Sequence, residues 1–179
     1  GAGRAHTDWP WPAVAVVRGP GTCMGDRSWT FSAQSDVGVD GRHNYPGRLL
    51  VNRVCVQLVW PMVEAAMSGA GGQVSVVRPG ETACLECWCG DGDPEWEPLG
   101  FPVLGAVSGT VGCLAAIEAI KVVTGWGEPL DGRLLSLDLE HMTFQTLRVA
   151  RDPACPACAA AHPLSPTGPP PHVREPARR

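Results

Sequence analysis

Two C-x-x-C pairs constrain the fold of this 179-residue chain more than any other feature of its sequence. The first pair is Cys84 and Cys87, and the second pair, far along the chain, is Cys155 and Cys158. A two-residue spacer lets one tight turn present two thiolates, and four thiolates are a preferred ligand set of structural zinc. The sequence therefore predicts a four-cysteine zinc site that joins two distant turns. The alternative is a set of redox-active or free thiols.

Composition favours one globular domain, because 44% of the residues are apolar and only 18% are charged. The net charge of −4 argues against a general nucleic-acid surface, which needs clustered Lys and Arg. Gly, Pro or charged residues interrupt the apolar runs before the ~20 residues of a membrane span, and no secretory signal pattern is visible. We therefore expect a cytoplasmic protein with reduced thiols, no nucleic-acid partner and no membrane span.

Periodic patterns from Asp36 onward predict an alternation of strands and helices. Asn44 can cap a helix that has Pro46 in its first turn and ends before Pro61. A second helix is predicted to open at Ser108 or Gly109 and to end at a Gly125 cap. The predicted strands are Asp36–Asp40, Met62–Met67, Gln73–Val77, Leu134–Leu139 and Thr143–Val149.

This order of elements indicates an α/β fold with a mixed sheet. We divide the chain into an atypical N-terminal segment at 1–35, a half-domain at 36–158 and a Pro-rich, disordered tail at 159–179. Ala13–Val17 could form a strand, and glycines follow it. The G-x-G-x-x-G spacing of a phosphate-binding turn is absent, so an ordinary Gly-Pro turn is the favoured interpretation.

Four segments, in order, resemble the ThiF/MoeB/HesA family, bacterial relatives of ubiquitin-activating E1 enzymes. Residues 36–55 are similar to that family's D-x-x-D-N-x-x-x-R-x-x-x-N-x-x-C stretch. Residues 61–87 resemble its P-x-V…G-Q-x-x-V-x-x-P-G…C-x-x-C stretch, and residues 102–125 resemble its A-x-E-x-I-K helix. The closing C-P-x-C is Cys155–Cys158. Each segment alone is a weak signal, but the ordered set is specific.

The resemblance implies the C-terminal part of a Rossmann-like fold and the chemistry of adenylation. Such proteins use ATP and Mg²⁺ to activate the C-terminal Gly-Gly of a ubiquitin-like or sulfur-carrier protein, and a homodimer is implied. The zinc is implied to be structural, since four cysteines leave no open position for a substrate.

The resemblance also implies roles for particular residues. It places Asn44, Arg48 and Asn52 beside the nucleotide or the carrier tail, whereas a solvated helix face or a capping contact is the alternative for Arg48 and Asn52. His43 stands where the family has a magnesium-linked Asp, and Asp40 lies three residues earlier. We take Asp40 and His43 as weak catalytic candidates, because an imidazole cannot replace a carboxylate on Mg²⁺.

Other thiol and charged residues have less specific interpretations. Cys89 is either a reactive thiol, an alternative metal ligand in place of Cys87, or, as we favour, a half-buried cysteine. Cys55 and Cys113 are predicted to pack in the core. Glu118 and Lys121 are predicted to form a surface pair.

Two functional hypotheses follow from the missing phosphate-binding turn. In the first, the chain is the C-terminal half of an adenylyltransferase. In the second, it is a non-catalytic, zinc-stabilised module that binds a carrier or a subunit.

Overall fold

The computed structural model describes residues 35–90 and 102–159. The candidate strand at 13–17, the segment 1–34 and the tail from 160 onward lie outside these residues, as does most of the loop between the first cysteine pair and the second long helix. The described elements are β1 (Gly38–Asp40), α1 (Tyr45–Leu58), β2 (Met62–Ser68), β3 (Gly71–Val77), α2 (Glu86–Cys89), α3 (Gly105–Thr124), β4 (Arg133–Asp138) and β5 (Thr143–Arg148).

The described strands form one sheet in the order β1-β2-β3-β4-β5. β1 runs parallel to β2, and every later neighbour pair is antiparallel. α1 supplies the crossover that a parallel pair requires. The prediction of an α/β fold with a mixed sheet is therefore confirmed.

α1 begins and ends close to the predicted positions for local reasons. Asn44 has extended backbone angles, and its Oδ1 accepts a hydrogen bond from the backbone N–H of Gly47 at 2.7 Å. Pro46 lies in the first turn, where a missing N–H costs nothing. The helix ends at Leu58, ahead of the predicted end, because Val59 adopts the left-handed conformation with φ of 53°.

The two faces of β2 pack in different clusters, as the period of two in a strand requires. Val63 and Ala65 face α3, in an apolar cluster that also contains Val74, Val76, Val107, Val111, Ala115, Leu130 and Leu137. Met62 packs on the side of α1, in a cluster with Cys55, Val56, Val77, Cys84, Cys155 and Cys158. The sheet is thus covered by α3 on one side, and by α1 and the cysteine pairs on the other.

α3 is longer than predicted, since it begins at Gly105 rather than at Ser108 or Gly109. Gly125 caps its end with φ of 69°, as predicted, and its N–H donates to the carbonyl of Lys121. At 20 residues, α3 is long and apolar enough to cross a membrane by length and composition alone, although Gly112, Glu118 and Lys121 interrupt its apolar residues. The length and composition of α3 are also typical of a core helix in a globular domain. Its residues Val107, Val111 and Ala115 pack on the sheet.

Gly72 sets the distance between α3 and β3, because a Cβ at this position would lie 2.5 Å from Cγ2 of Val111. We expect Gly72→Ala to lower the free energy of unfolding by about 1–3 kcal/mol, because α3 must move outward to admit the methyl group. Urea unfolding measures the change. The matched control is Gly109→Ala on the open face of α3, where a Cβ meets nothing within 4 Å. That variant should be as stable as the parent chain or more so, and an equal loss in both would refute the packing argument.

Candidate functional site

The four predicted cysteine ligands meet at one point beside the sheet. Cys84 and Cys87 lie at the start of α2, and Cys155 and Cys158 lie in the turn that follows β5. All four Sγ atoms lie within 4.8 Å of one another, with Cys84–Cys155 at 3.6 Å and Cys87–Cys158 at 3.5 Å. We call this set the cysteine cluster.

The geometry of the cysteine cluster fits a metal site. A tetrahedral ion with Zn–S bonds of about 2.3 Å places its sulfurs about 3.8 Å apart, and Sγ of Cys84 and Sγ of Cys87 are 3.9 Å apart. Disulfide sulfurs are bonded at about 2.05 Å, so none of these cysteines is paired, and they are free thiols in the structure. The cysteine cluster could therefore hold a metal ion.

Polar groups from α1 and from the later turn enclose the cysteine cluster. Asn52 donates from Nδ2 to Sγ of Cys84 at 3.6 Å and to Oε1 of Glu86 at 3.1 Å, and its Oδ1 accepts from the N–H of Leu85 at 3.0 Å. Arg53 binds the same Glu86 carboxylate with two nitrogens, at 3.0 and 2.9 Å. On the other side, Arg151 donates to the carbonyl oxygens of Gly80 and Cys158.

A cavity of about 700 Å³ opens at the carboxyl end of β1. Ligands of open α/β sheets commonly bind outside the carboxyl ends of parallel strands. The segment after β1 contributes polar side chains to the wall, and β2, β3, β4 and α3 contribute mostly small and apolar ones. The lining includes Asp40, Arg42, His43, Tyr45, Arg48, Ala65, Gly72, Gln73, Ser108, Val111 and Gly112.

A buried charge network, here called the Arg48 network, forms the floor of the cavity. The guanidinium of Arg48 donates to Oε1 of Glu64 and, at 3.1 Å, to the carbonyl of Ala65. Its Nε lies 3.5 Å from Oδ2 of Asp40. Gln73 donates to the same Glu64 oxygen at 3.4 Å.

The Arg48 network contains one more carboxylate than it has cations. Asp40 and Glu64 are almost completely buried, and one oxygen of each, Oδ2 and Oε2, accepts no hydrogen bond. Burial raises the pKa of Asp40, although the charge of Arg48 and the N–H of Arg42 oppose the rise. Asp40 therefore stabilises the fold most when protonated, and that contribution is lost as the pH rises through its folded-state pKa.

The structure divides the predicted site residues between these two places. Asp40, His43 and Arg48 line the cavity. Asn44 caps α1, and its Nδ2 lies 3.3 Å from Nε2 of His43. Asn52 is fully buried against the cysteine cluster, so its contacts here are structural. The nucleotide or substrate roles of Asn44, Arg48 and Asn52 stay predictions.

Glu64 is the member of the Arg48 network that sequence analysis missed. It is an acidic residue within an otherwise apolar run, Met62–Met67, which is a signal of a paired buried charge. The sequence does not show which cation pairs with it, because Arg48 lies on the preceding helix and meets Glu64 only in the folded chain.

Two minor sequence predictions are wrong in whole or in part. Glu118 and Lys121 form the predicted pair at 2.6 Å, but Glu118 is buried rather than on the surface. Its carboxylate also accepts from the N–H of Leu130 at 2.7 Å and fixes the entry to β4. Cys113 is exposed on α3 rather than packed in the core, whereas Cys55 is fully buried as predicted. Cys89 is half-buried, as favoured above.

The described thiols outside the cysteine cluster should differ in reactivity. Burial raises the pKa of Cys89 to about 11 and that of Cys55 to about 12, so neither holds an appreciable thiolate fraction near neutral pH. We expect iodoacetamide at about pH 8 to modify the exposed Cys113 at least tenfold faster than Cys89. Peptide mass spectrometry measures both rates, and denaturation with a chelator should make them equal. Equal rates in the native protein would instead support a reactive Cys89.

The described residues form an α/β domain with a mixed sheet, a cysteine cluster that could hold a metal ion, and a separate cavity beside the parallel strands. Comparison of the sequence with protein families identifies it further: the chain belongs to the ThiF family, whose model matches residues 11–157. The family membership that the sequence motifs indicated is therefore confirmed.

Curated relatives agree with this family. The chain is 47% identical over 124 residues to the protein HesA of Leptolyngbya boryana, covering 69% of this chain and 44% of that protein. It is 40% identical over 132 residues to the SAMP-activating enzyme E1 of Haloferax volcanii, covering 70% of this chain and 47% of that protein. The chain thus spans a little under half the length of these relatives.

Solved structures confirm the fold. The chain superposes on Escherichia coli MccB with a TM-score of 0.60 at 19% sequence identity, covering 76% of this chain and 43% of MccB. A further MccB structure, determined with N-formylated MccA, gives a TM-score of 0.62 at 21% identity, with 75% and 44% covered.

Proposed function

We propose that this chain is the C-terminal half of an adenylyltransferase that activates the C-terminal Gly-Gly of a ubiquitin-like or sulfur-carrier protein with ATP. The observation that carries the proposal is the cavity at the carboxyl end of β1, whose floor is the Arg48 network. Among relatives, one is named an activating enzyme E1 and another, in Drosophila sechellia, an adenylyltransferase and sulfurtransferase. The latter is 36% identical over 138 residues, covering 70% of this chain and 28% of that protein.

In the proposed reaction, a carboxylate oxygen of the carrier tail attacks the α-phosphorus of ATP, pyrophosphate leaves, and an acyl-adenylate forms. Positioning and charge neutralisation supply most of the rate in reactions of this kind. Small residues in the cavity wall, Ser108 and Gly112 among them, leave room for an extended Gly-Gly tail, and a Cβ at Gly112 would meet no heavy atom within 4 Å. Arg48, which Asp40 and Glu64 hold in place, lies at the floor of the cavity.

A magnesium ion would accompany ATP, and the cavity offers one suitable ligand. Asp40 is the only carboxylate residue among the described residues that line the cavity, and its Oδ2 accepts no hydrogen bond. Mg²⁺ prefers oxygen ligands, so Asp40 rather than His43 would hold the ion. The ion would neutralise charge on the phosphates.

We propose zinc as the metal of the cysteine cluster, with a structural role. Four thiolates suit zinc, and a site with four protein ligands has no open position for a substrate. Homodimer formation and a cytoplasmic location stay predictions.

The second candidate is a carrier-binding module without catalysis. Two features favour it: G-x-G-x-x-G does not occur in these 179 residues, and His43 replaces the expected Asp. Both candidate functions use Arg48 and the cavity to bind the carrier. Binding and catalysis must therefore be measured separately.

Two assays on the same protein test both candidates. Titration calorimetry compares a sulfur-carrier protein that ends in Gly-Gly with the same carrier lacking those two residues. ATP–pyrophosphate exchange then tests catalysis. We expect tail-dependent binding and no exchange from these 179 residues alone, because the phosphate-binding turn is missing. Exchange would refute the binding module and would also overturn the interpretation of the chain as a half-enzyme, because these 179 residues would then suffice for adenylation. Absence of tail-dependent binding would overturn both candidates.

A further inference from the structure

One face of α1 connects the cysteine cluster to the cavity. Arg48 and Asn52 are four residues apart and therefore lie one above the other on the same helix face. With a rise of about 1.5 Å per residue, the two Cα atoms are separated by only about 6 Å along the helix axis. Arg48 lies at the cavity and Asn52 at the cysteine cluster.

At the cysteine cluster, Asn52 makes three buried hydrogen bonds to one short segment. Its partners are Sγ of Cys84, the N–H of Leu85 and the carboxylate of Glu86, at 3.6, 3.0 and 3.1 Å. Asn52 is fully buried, so a partner that moves away leaves an unsatisfied polar group in the interior. Each such group costs about 1–3 kcal/mol, which ties the position of α1 to the conformation of residues 84–86.

A metal in the cysteine cluster would fix that conformation. It would join Cys84 and Cys87 to the distant second pair, and it would make Sγ of Cys84 a negatively charged acceptor for Nδ2 of Asn52. Hydrogen bonds to ionised groups are roughly twice as strong as those between neutral groups. The contact between Asn52 and Cys84 would therefore be stronger in the metal-bound state.

At the other end of the same face, the position of Arg48 decides whether the Arg48 network is neutralised. Its guanidinium reaches Glu64, the carbonyl of Ala65 and Asp40 only while α1 keeps its place over β2. A small shift of α1 would leave two buried carboxylates with weakened pairing.

We propose that metal binding at the cysteine cluster positions Arg48 at the cavity through Asn52, so that the two sites are energetically linked. The inference rests on the proposed zinc but on no particular ligand of the cavity. Such linkage is reciprocal: a change at Arg48 must alter metal binding, as a change at the cysteine cluster must alter Arg48. Asn52 is a positioning residue in this scheme.

The first arm of the test measures zinc release to a chromogenic chelator. Asn52→Asp keeps the acceptor for Leu85 but removes both donor bonds, and we expect release to be about 10–100-fold faster, as for other residues that bind metal ligands. Gln57→Glu is the matched control: it is the same change of an amide to a carboxylate, on the exposed face of the same helix. Its release rate should equal that of the parent chain.

The second arm tests the link itself, which a purely structural role of Asn52 would not affect. In zinc-loaded protein, the ¹⁵N Nε–H signal of Arg48, assigned by its loss in Arg48→Lys, should shift in Asn52→Asp while amide signals of α3 stay in place. Conversely, Arg48→Lys should speed zinc release about fivefold or more. Arg148→Lys, exposed on β5, should leave the release rate unchanged.

The outcomes separate the link from the zinc assignment. Purified parent chain without zinc would overturn the zinc assignment and the link with it. Three results together would overturn the link alone. The parent chain contains zinc, the Arg48 signal stays in place in Asn52→Asp, and Arg48→Lys releases zinc at the parent rate.

Discussion

Cys155→Ser is expected to lose zinc and, with it, the cooperative fold of the described domain. A serine hydroxyl does not ionise near neutral pH and cannot replace a thiolate ligand. Structural zinc contributes an apparent ~10–16 kcal/mol in small metal domains, whereas an ordinary domain is stable by only about 5–15 kcal/mol. Cys155 is also almost fully buried in the cluster that contains Met62 and Val77, so the loss extends to the sheet.

Metal analysis and thermal unfolding followed by circular dichroism measure this effect. The parent chain should contain about one zinc per chain, the stoichiometry of a four-cysteine site, and Cys155→Ser should contain almost none. Cys113→Ser is the matched control, because Cys113 is exposed on α3 and outside the cysteine cluster. It should keep both the zinc and the melting temperature. A Cys155→Ser protein that melts like the parent chain would contradict a stabilising role for the metal.

The sequence predicts well what depends on local chemistry. The cysteine cluster follows from the C-x-x-C spacing, and the start of α1 follows from Asn44 and Pro46. The left-handed cap at Gly125 follows from the end of the apolar period. In each case the residues that determine the feature are neighbours in the chain or belong to a motif with one preferred geometry.

Other features depend on partners that only the tertiary structure brings together. The helical period places Arg48 and Asn52 on one helix face, but it does not reveal that Asn52 meets the turn at Cys84. Glu118 has a Lys three residues later, as on a solvated face, yet the chain before β4 covers it. The start of α3 lies earlier than predicted, since Leu104 precedes the helix without any side-chain cap and Ser108 lies within it.

The Arg48 network predicts the other large effect. Arg48→Met should lower the free energy of unfolding by about 3–5 kcal/mol at about pH 8, because it removes the guanidinium that pairs with the buried carboxylates of Asp40 and Glu64. Arg148→Met, on the exposed strand β5, should change it by less than about 0.5 kcal/mol. Urea unfolding of zinc-saturated protein measures both. A loss in Arg48→Met no larger than in Arg148→Met would show that the network is not a stabilising element.

The pH dependence identifies the cause of that loss. Burial already raises the pKa of Asp40 in the parent chain, and without the guanidinium its main opposing charge is gone. A carboxyl group with a raised folded-state pKa destabilises the fold only where it is ionised, so the difference between Arg48→Met and the parent should shrink as the pH falls through the raised pKa of Asp40. Arg48→Met combined with Glu64→Leu should recover part of the stability, since an apolar pair of similar volume can replace a buried ion pair. A pH-independent loss without recovery would instead indicate that Arg48 stabilises the fold by packing.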